Sequence, residues 1–247
     1  MTTQKTVLIT GGTSGIGRAT AEVLASRDYS VVVTGHSADG VADAQRELGD
    51  RALVLRADSA SRDDTERVID EVRDRFGSLH AVFLNAGISG STPLGTVTEA
   101  DWDRAFDTNA KGQFFTLQSA LPLLVDGASI VFTVGVGVKR GVPGGSVMSA
   151  SRGALLAMVP SLAVELAPRR IRVNAVSPGV IRTPIWTKSG LPAEQVEQVL
   201  DSMVERVPLG RLGDPEDVAH TVAHLVSDES SYVTGQHIVV GGGIDIS

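Results

Sequence analysis

The sequence predicts a single α/β domain in which a doubly wound parallel sheet of about seven strands is covered by helices on both faces. Short apolar segments alternate with longer helical patterns along the whole chain, which is typical of parallel strands joined by crossover helices. Hydrophobic residues make up 42% of the chain and aromatic residues only 4%, as suits the aliphatic core of a buried parallel sheet. No internal repeat or linker divides residues 1–247, so we expect one domain.

Each predicted strand is a short apolar run bounded by turn-forming residues. The runs are Thr6–Thr10, Ser30–Thr34, Ala52–Arg56, Ala81–Leu84, Ser129–Val134, Arg172–Val176 and His237–Val240. Between them, helical periodicity is clearest at Ile16–Ser26, Ser61–Phe76 and Ala150–Leu166. Right-handed crossovers between such strands place helices on both faces of the sheet.

The overall charge narrows the classes of partner. The formal net charge is −7, and an acidic surface argues against nucleic acid or an anionic membrane as a partner. The chain has no cysteine, which excludes disulfides, thiolate catalysis and thiolate metal sites. The N-terminal residues lack a signal-peptide pattern, and we identify no apolar stretch of membrane-spanning length. We therefore expect a cytoplasmic protein that uses neither a membrane nor nucleic acid.

One segment, Thr183–Gly213, breaks the alternation of strands and helices. It contains several helix-breaking residues around the amphipathic stretch Glu194–Val207. They are Pro184, Gly190, Pro192, Pro208 and Gly210. An insertion after the carboxyl end of a strand lies where ligands bind in such sheets. Residues 183–213 are therefore either a lid over a substrate pocket or a surface helix without a gating role.

A glycine-rich turn follows the first predicted strand and precedes a predicted helix. Gly11 permits the tight turn, Gly15 lets the backbone approach a pyrophosphate, and Gly17 allows close packing of helix on strand. The helix N-terminus adds amide donors and the positive end of its dipole. This context predicts the dinucleotide site of a Rossmann fold. The residues assigned to it are Gly11, Thr13, Ser14, Gly15, Ile16 and Gly17.

The residues after the second strand favour NADP(H) over NAD(H). A carboxylate there would hold the ribose hydroxyls of NAD and repel a 2′-phosphate. This chain instead has Gly35, His36 and Ser37, with no acid before Asp39. Gly35 leaves space, and His36 and Ser37 can donate hydrogen bonds. Arg18 either assists or is a solvated helix residue.

Taken together, these motifs resemble the short-chain dehydrogenase/reductase family over essentially the whole chain. The resemblance also rests on segments farther along, namely Asn85-Ala86-Gly87, Asn109-Ala110-Lys111-Gly112, Ser177-Pro178-Gly179, Arg211–Asp217 and Tyr232–Gln236. It implies hydride transfer between a nicotinamide and a carbonyl or alcohol. It further implies cofactor contacts at Asp58, Ser59, Asn85, Ala86, Gly87, Arg152, Pro178, Gly179, Val180 and Thr183.

Three of the four catalytic positions that the resemblance implies are altered. Met148 stands at the position of the family's tyrosine, Arg152 at that of the lysine, and Gly135 at that of the serine, while Asn109 is retained. A thioether has no proton to give, and glycine has no hydroxyl. Arginine stays protonated and can still hydrogen-bond a ribose. Loss of general acid–base catalysis typically costs about 10²–10⁴-fold in rate.

No neighbouring residue is an obvious replacement for the missing acid. Hydroxyl and cationic groups nearby are Thr133, Lys139, Arg140, Ser146 and Ser149, each of which also has an ordinary structural reading as a cap or a solvated loop residue. His220 and His224 share a helix face, but the glutamate of a metalloprotease motif is missing, so we predict no metal site.

Two hypotheses follow for the function. In the first, the chain is an NAD(P)(H)-binding oxidoreductase that reduces C=N or C=C bonds rather than a simple ketone. In the second, it is a non-redox protein, either a binding subunit or a non-hydride enzyme, on the same scaffold. The pocket, from Gly135–Val142, Met148 and Gly179–Trp186, is mostly small or apolar, which indicates a neutral, apolar small-molecule substrate. The resemblance and the apolar helix Leu155–Leu166 also imply a homotetramer or dimer.

Overall fold

The computed structural model describes residues 4–186 and 192–247. Its strands are β1 (Thr6–Thr10), β2 (Ser30–Gly35), β3 (Ala52–Arg56), β4 (Leu79–Leu84), β5 (Leu124–Thr133), β6 (Arg172–Pro178) and β7 (His237–Val240). Its helices are α1 (Gly15–Ala25), α2 (Ala38–Leu48), α3 (Arg62–Phe76), α4 (Glu99–Phe106), α5 (Gly112–Ala120), α6 (Ser146–Leu166), α7 (Ala193–Val204) and α8 (Pro215–Val226).

The seven strands form one parallel sheet in the order β3-β2-β1-β4-β5-β6-β7. This arrangement confirms the predicted single-domain, doubly wound α/β fold. The strand order reverses between β1 and β4, so the loops that follow these two strands lead to opposite faces. In sheets of this kind, the crevice at the reversal point is where ligands bind.

The predicted starts of β5 and α6 differ most from the structure, each for a local reason. β5 begins at Leu124 rather than Ser129, because the exposed pair Asp126-Gly127 resembles a turn in the sequence but is an irregularity within the strand. Gly127 has a φ of +83° there. α6 begins at Ser146 rather than Ala150, since Val147 is buried and anchors an additional first turn.

Hydrophobic clusters cover the two faces of the sheet. One packs α3, α5 and α6 on the sheet, and the other packs α1, α2 and α8. They are represented by Leu117, Leu155 and Phe132 on one face and by Leu24, Val222 and Phe83 on the other. Each such side chain contributes about 1.5–3 kcal/mol when it is fully buried. The rigid sheet between them fixes the strand ends on which the site is built.

The expectation that no apolar stretch reaches membrane-spanning length was wrong for one helix. The stretch Ser146–Arg169 is long and apolar enough to cross a membrane by length and composition. Its residues Leu155 and Val159 are buried in the core beside β6, which is the position of a core helix in this fold. Ala157, Pro160 and Val164 of α6 are exposed, so its outward face carries apolar residues as well.

The segment predicted as a lid contains α7, which packs through its buried residues Val196 and Leu200. They belong to a third, smaller cluster with Val180, Val207, Leu212 and Ile244. The part of the segment at residues 187–191, which includes Gly190, lies outside the described residues. α7 is thus attached to the loop after β6 and to the C-terminal residues, and its role as a lid stays a prediction.

Candidate active site

The loop after β1 has a backbone that depends on glycine. Gly11 and Gly15 have φ values of +64° and +54°. A Cβ atom at Gly11 would lie 2.8 Å from the Cα atom of Ala86, and one at Gly17 would lie 2.3 Å from the carbonyl oxygen of Gly11. Because these neighbours are backbone atoms, they cannot move aside as a flexible side chain would. The loop, α1 and the end of β4 therefore approach one another at a distance that only glycine permits.

The start of α1 faces the loop after β6. A Cβ atom at Gly15 would lie 3.2 Å from the Cγ2 atom of Thr183. Ser14 precedes the helix in an extended conformation, and its side chain makes no capping hydrogen bond. The first amides of a helix need partners, and phosphate groups are suitable ones. The residues present therefore fit a dinucleotide whose pyrophosphate lies at this helix end.

Asn85 ties the ends of three strands together. Its side-chain amide donates to the carbonyl oxygens of Thr10 and Gly11, at 3.2 Å each, and its Oδ1 atom accepts from the Thr133 hydroxyl at 3.0 Å. The Thr10 hydroxyl donates in turn to Oε1 of Gln113 at 3.3 Å. Sequence reasoning missed Gln113, whose only signal was a polar residue on the buried face of α5.

Asn109 and Met148, which the sequence assigns to two of the catalytic positions, lie close together in the structure. Asn109 is fully buried in a π-helical turn between α4 and α5. Its Oδ1 atom accepts from the amide of Ile88 at 2.8 Å, and its Nδ2 atom donates to the Ile88 carbonyl at 3.2 Å and to Oγ of Ser151 at 3.0 Å. The sulfur of Met148 lies 3.8 Å from the same Nδ2 atom. The retained asparagine thus contacts a thioether.

Arg152 carries a positive charge into the crevice. Its Nη1 atom donates to the carbonyl oxygen of Thr133 at 2.8 Å. A Cβ atom at Gly87 would lie 2.0 Å from Nη2, so the guanidinium fills the hollow that this glycine leaves open. Within residues 4–186 and 192–247, it has no ion-pair partner. Burial lowers the pKa of Arg152 to about 10, so the group stays protonated at neutral pH.

Gly135 follows the end of β5 and has a backbone conformation that favours glycine. Its φ is +124°, which residues other than glycine rarely adopt, although no atom lies within 4 Å of where its Cβ would be. Its amide donates to Oγ of Ser177 at 3.1 Å, and the same oxygen lies 2.5 Å from Nε2 of His237. Sequence reasoning missed His237, which reaches the site only through the pairing of β6 with β7.

The groups considered as replacement acids are mostly engaged with the backbone or with a structural amide. Thr133 donates its hydroxyl proton to Asn85. Ser149 donates to the carbonyl oxygen of Gly137 at 2.9 Å, and Arg140 donates to that of Ile244 at 2.7 Å. Ser146 is exposed at the first position of α6.

The region expected to bind the adenosine end differs from the sequence interpretation in two ways. The space left by Gly35 is taken by Thr13, whose Oγ1 atom would lie 2.3 Å from a Cβ there, so Gly35 does not open room for a phosphate. Arg18 pairs with Glu22 and Glu47 and bridges α1 and α2, which makes it a structural residue.

The remaining adenosine-end residues lie at the surface or in turns. His36 is exposed, and Ser37 caps α2 by accepting from the Gly40 amide at 3.1 Å. Asp58 accepts from the amide of Ala60 at 2.9 Å, which orders the turn that includes Ser59 before α3.

The segments after β6 and near α8 have structural contacts. The amide of Gly179 donates to the Val240 carbonyl at 2.9 Å, and a Cβ atom at Gly179 would lie 2.5 Å from the Cα atom of Gly241, so the Pro178-Gly179 turn packs on the end of β7. The indole of Trp186 donates to the Ile181 carbonyl at 2.8 Å. Arg211 holds Asp217 through both carboxylate oxygens and lowers its pKa to about 2.

A glycine loop at the reversal of a parallel sheet, close to Asn85 and Thr183, is the arrangement of the dinucleotide-binding proteins of the Rossmann class. Comparison with known proteins agrees. A family model described as enoyl-(acyl carrier protein) reductase matches residues 11–245. The 3-oxoacyl-[acyl-carrier-protein] reductase FabG of Thermotoga maritima is 36% identical over 247 residues, which cover 98% of each chain.

Solved structures give the same result. A short-chain dehydrogenase/reductase of Brucella melitensis, described as a glucose/ribitol dehydrogenase, has a TM-score of 0.91 and 35% identity, with 98% of this chain and 97% of that chain covered. Levodione reductase has a TM-score of 0.91 and 29% identity, with 98% of both chains covered. The chain belongs to the short-chain dehydrogenase/reductase family of oxidoreductases. Membership of this family implies a nicotinamide cofactor.

Proposed function

We propose that the protein is an NADP(H)-dependent reductase whose substrate accepts a hydride without a proton from the residue at position 148. The observation that carries the proposal is the thioether of Met148, 3.8 Å from the amide of Asn109, where the family resemblance places a tyrosine hydroxyl. A thioether cannot act as a general acid. Iminium C=N bonds need no proton when they accept a hydride, and conjugated C=C bonds can take theirs from water.

The contacts of the neighbouring polar groups support the same proposal. The hydroxyls of Thr133 and Ser149 are directed to Asn85 and to the Gly137 carbonyl, so neither is free to face a substrate. The Ser151 hydroxyl is fully buried and bonded to Met148 O at 3.0 Å. A reaction that takes its proton from one of these three hydroxyls would therefore have to break that hydrogen bond first.

The bound nicotinamide cofactor supplies the hydride in this family. The chain's own residues would hold it at three places, namely the α1 terminus beside Gly15, the Asn85-Ala86-Gly87 segment, and Thr183 after β6. Arg152 fits the ribose next to the nicotinamide, because its guanidinium offers several donors and keeps a positive charge. That charge would also stabilise negative charge developing on a substrate in the crevice.

The names of relatives suggest which electrophiles to test. FabG of Thermotoga maritima is named for a 3-oxoacyl substrate, which is a ketone, and the matching family model is described as an enoyl reductase, which acts on a C=C bond. A ketone leaves an alkoxide that must be protonated at oxygen, whereas an enone or enoyl thioester leaves a delocalised enolate. The second class therefore suits a site with Arg152 and without a tyrosine.

The experiment is a substrate screen with the purified chain and NADPH. Oxidation of NADPH at 340 nm is followed with matched sets of ketones, cyclic imines and enones or enoyl thioesters. We expect turnover of imines or conjugated alkenes at a rate at least about 10²-fold above that of the matched ketones, the lower end of what a general acid contributes. Ketones turned over as fast as the other classes would contradict the proposal.

Calorimetry with NADPH distinguishes the alternative, a non-redox protein on this scaffold. Cofactor binding without turnover of any class would favour that alternative, and absence of binding would exclude both the reductase and its NADP(H) dependence. Asn109→Ala is a useful control in the screen, since Asn109 contacts both Met148 and Ser151.

Further parts of the proposal concern assembly and location. The apolar outward face of α6, where Val164 is 76% exposed, and the half-exposed Trp102 on α4 favour a homotetramer or dimer. We also propose a cytoplasmic location, a neutral apolar substrate and a lid role for the segment around α7. Light scattering of the purified protein tests the assembly, and a monomer at micromolar concentration would contradict it.

A further inference from the structure

Arg56 is the last residue of β3 and lies beside the end of β2. In the register of the two strands, Arg56 is paired with Gly35, and the next amide, that of Ala57, donates to the Gly35 carbonyl at 2.9 Å. Its exposed side chain turns toward β2, where Nε donates to the carbonyl oxygen of His36 at 3.2 Å. An arginine from the third strand thus reaches the loop that follows the second strand.

The guanidinium keeps an unused edge at this position. Only its Nε atom has a hydrogen-bond acceptor among the described residues, and none of their carboxylates forms an ion pair with it. The pKa of Asp64 is lowered by hydrogen bonds from the amide of Asp58 and from Arg67, each at 2.8 Å, and also by the charge of Arg56. Asp64 is therefore already bound by other groups. The two Nη atoms therefore retain donors in the parallel geometry that carboxylates and phosphates accept.

The neighbouring residues make this corner suitable for an anion. His36 is exposed beside the guanidinium, and the Ser37 hydroxyl, which accepts from the Gly40 amide, retains its own proton to donate. The acid nearest in sequence, Asp39, lies in the first turn of α2 and makes no ion pair with Arg56. Because Thr13 fills the space at Gly35, an anion cannot enter beside β2 and has to lie outward, on the side of Arg56.

We propose that Arg56 recognises the 2′-phosphate of the cofactor and selects NADP(H) over NAD(H). This inference rests on the proposed NADP(H) dependence and assigns it to one side chain. In Rossmann proteins the group that discriminates the two cofactors lies at the carboxyl end of the second strand. The sequence offers no arginine in that loop, and the structure brings one there from β3.

The test uses fragments that lack the nicotinamide, so that it does not depend on hydride transfer. Calorimetry measures the binding of 2′,5′-ADP, 5′-AMP, NADPH and NADH to the intact protein. Arg56→Gln should weaken the binding of 2′,5′-ADP and of NADPH by about 10- to 100-fold, as expected for the loss of hydrogen bonds to a charged group. The affinities for 5′-AMP and NADH should change by less than about twofold. Arg56→Lys keeps the charge without the planar fork and should recover only part of the loss.

Arg46→Gln is the matched control, because Arg46 is an exposed arginine of α2 that already pairs with Asp43. It removes the same charge without touching the proposed phosphate site. Equal losses in Arg46→Gln and Arg56→Gln, or an Arg56→Gln variant that still prefers NADPH as the native protein does, would overturn the role of Arg56. A native protein that binds neither dinucleotide would instead overturn the proposed function. Native preference for NADH would overturn the cofactor assignment while leaving dinucleotide binding in place.

Discussion

The two halves of the crevice differ in how far they carry the residues that the family resemblance predicts. They do not differ in how completely their buried polar groups are hydrogen-bonded. The cofactor half comprises the glycine loop, Asn85 and Thr183, which the resemblance read from the sequence assigns to the family's cofactor motifs. The catalytic half comprises Gly135, Met148 and Arg152, which that resemblance places where the family has serine, tyrosine and lysine. Yet no buried side-chain nitrogen or oxygen atom lacks a hydrogen-bond partner among the described residues. The buried polar side chains of the catalytic half are therefore as fully hydrogen-bonded as those of the cofactor half.

The largest expected effect comes from making the catalytic half resemble the family. Met148→Tyr places a hydroxyl beside the amide of Asn109 and the cation of Arg152. If the crevice still positions cofactor and substrate productively, ketone reduction should rise by about 10²–10⁴-fold, the usual contribution of a general acid. The measurement is kcat/KM for a ketone with NADPH in the native and variant proteins.

Met148→Phe is the control for that substitution, because it introduces the same ring without the hydroxyl. A gain in Met148→Phe equal to that in Met148→Tyr would assign the effect to shape instead of proton transfer. If neither variant gains activity, the hydroxyl at position 148 is not sufficient, and Arg152 or Gly135 also prevents ketone reduction.

The next effect tests the cofactor half by steric means. Gly17→Ala would bring a Cβ atom to 2.3 Å from the Gly11 carbonyl, which is a backbone atom. Overpacking of this kind costs about 1–3 kcal/mol, and we expect a value near the upper end together with a loss of NADPH affinity. Urea unfolding and calorimetry measure the two effects.

Gly95→Ala is the comparison for Gly17→Ala, since no atom lies within 4 Å of its Cβ position and its φ is not positive. It should leave the free energy of unfolding and the cofactor affinity within error of the native values. A Gly17→Ala protein as stable as Gly95→Ala would show that the loop can shift, and that its close packing is not required.

A smaller effect is expected at Gly135, where a substitution strains the backbone conformation, whereas at Gly17 it causes a steric overlap. Gly135→Ser meets no steric obstacle, but its φ of +124° is one that side-chain-bearing residues rarely adopt. We expect a loss of about 1–3 kcal/mol in the free energy of unfolding, because a strained backbone of this type costs that amount. Gly135→Ala should lose a similar amount, and a stable Gly135→Ser paired with an unstable Gly135→Ala would mean that the hydroxyl finds a compensating hydrogen bond.

Sequence patterns predicted the fold more completely than the site. β1, β3 and β7 have the predicted bounds, because apolar runs between turn residues are local signals. The resemblance assigned Asn109 and Met148 to one catalytic set, and the structure places the two side chains 3.8 Å apart. The φ of Gly135, the contact of His237 with Ser177, and the approach of Arg56 to His36 depend on which strands become neighbours and in what register. No local pattern encodes those pairings, so these three features were found only in the structure.

The smallest expected effect is on pH dependence, and it compares His237, which contacts the catalytic half through Ser177, with His80, which lies near the start of β4 beside Thr6, away from both halves. Nδ1 of His80 accepts from the amide of Thr6 at 3.0 Å, and the Ser177 hydroxyl, whose oxygen already accepts from Gly135, can donate to Nε2 of His237. Burial is the main cause that lowers the pKa of both histidines below 6.5, assisted by Lys5 at His80 and by Lys139 at His237. Asp228 and Asp245 act in the opposite direction.

Because both pKa values are lower in the folded than in the unfolded protein, the stability that these histidines provide is complete above pH 6.5 and is lost as the pH falls through the folded values. Urea unfolding at a series of pH values measures this loss. His80→Gln and His237→Gln should each flatten part of the slope, since glutamine can accept a hydrogen bond but does not titrate. Only His237→Gln should also alter the pH dependence of turnover, because Ser177 connects His237 to the amide of Gly135. If both variants change the pH dependence of turnover equally, the titration of His237 has no specific effect on the catalytic half.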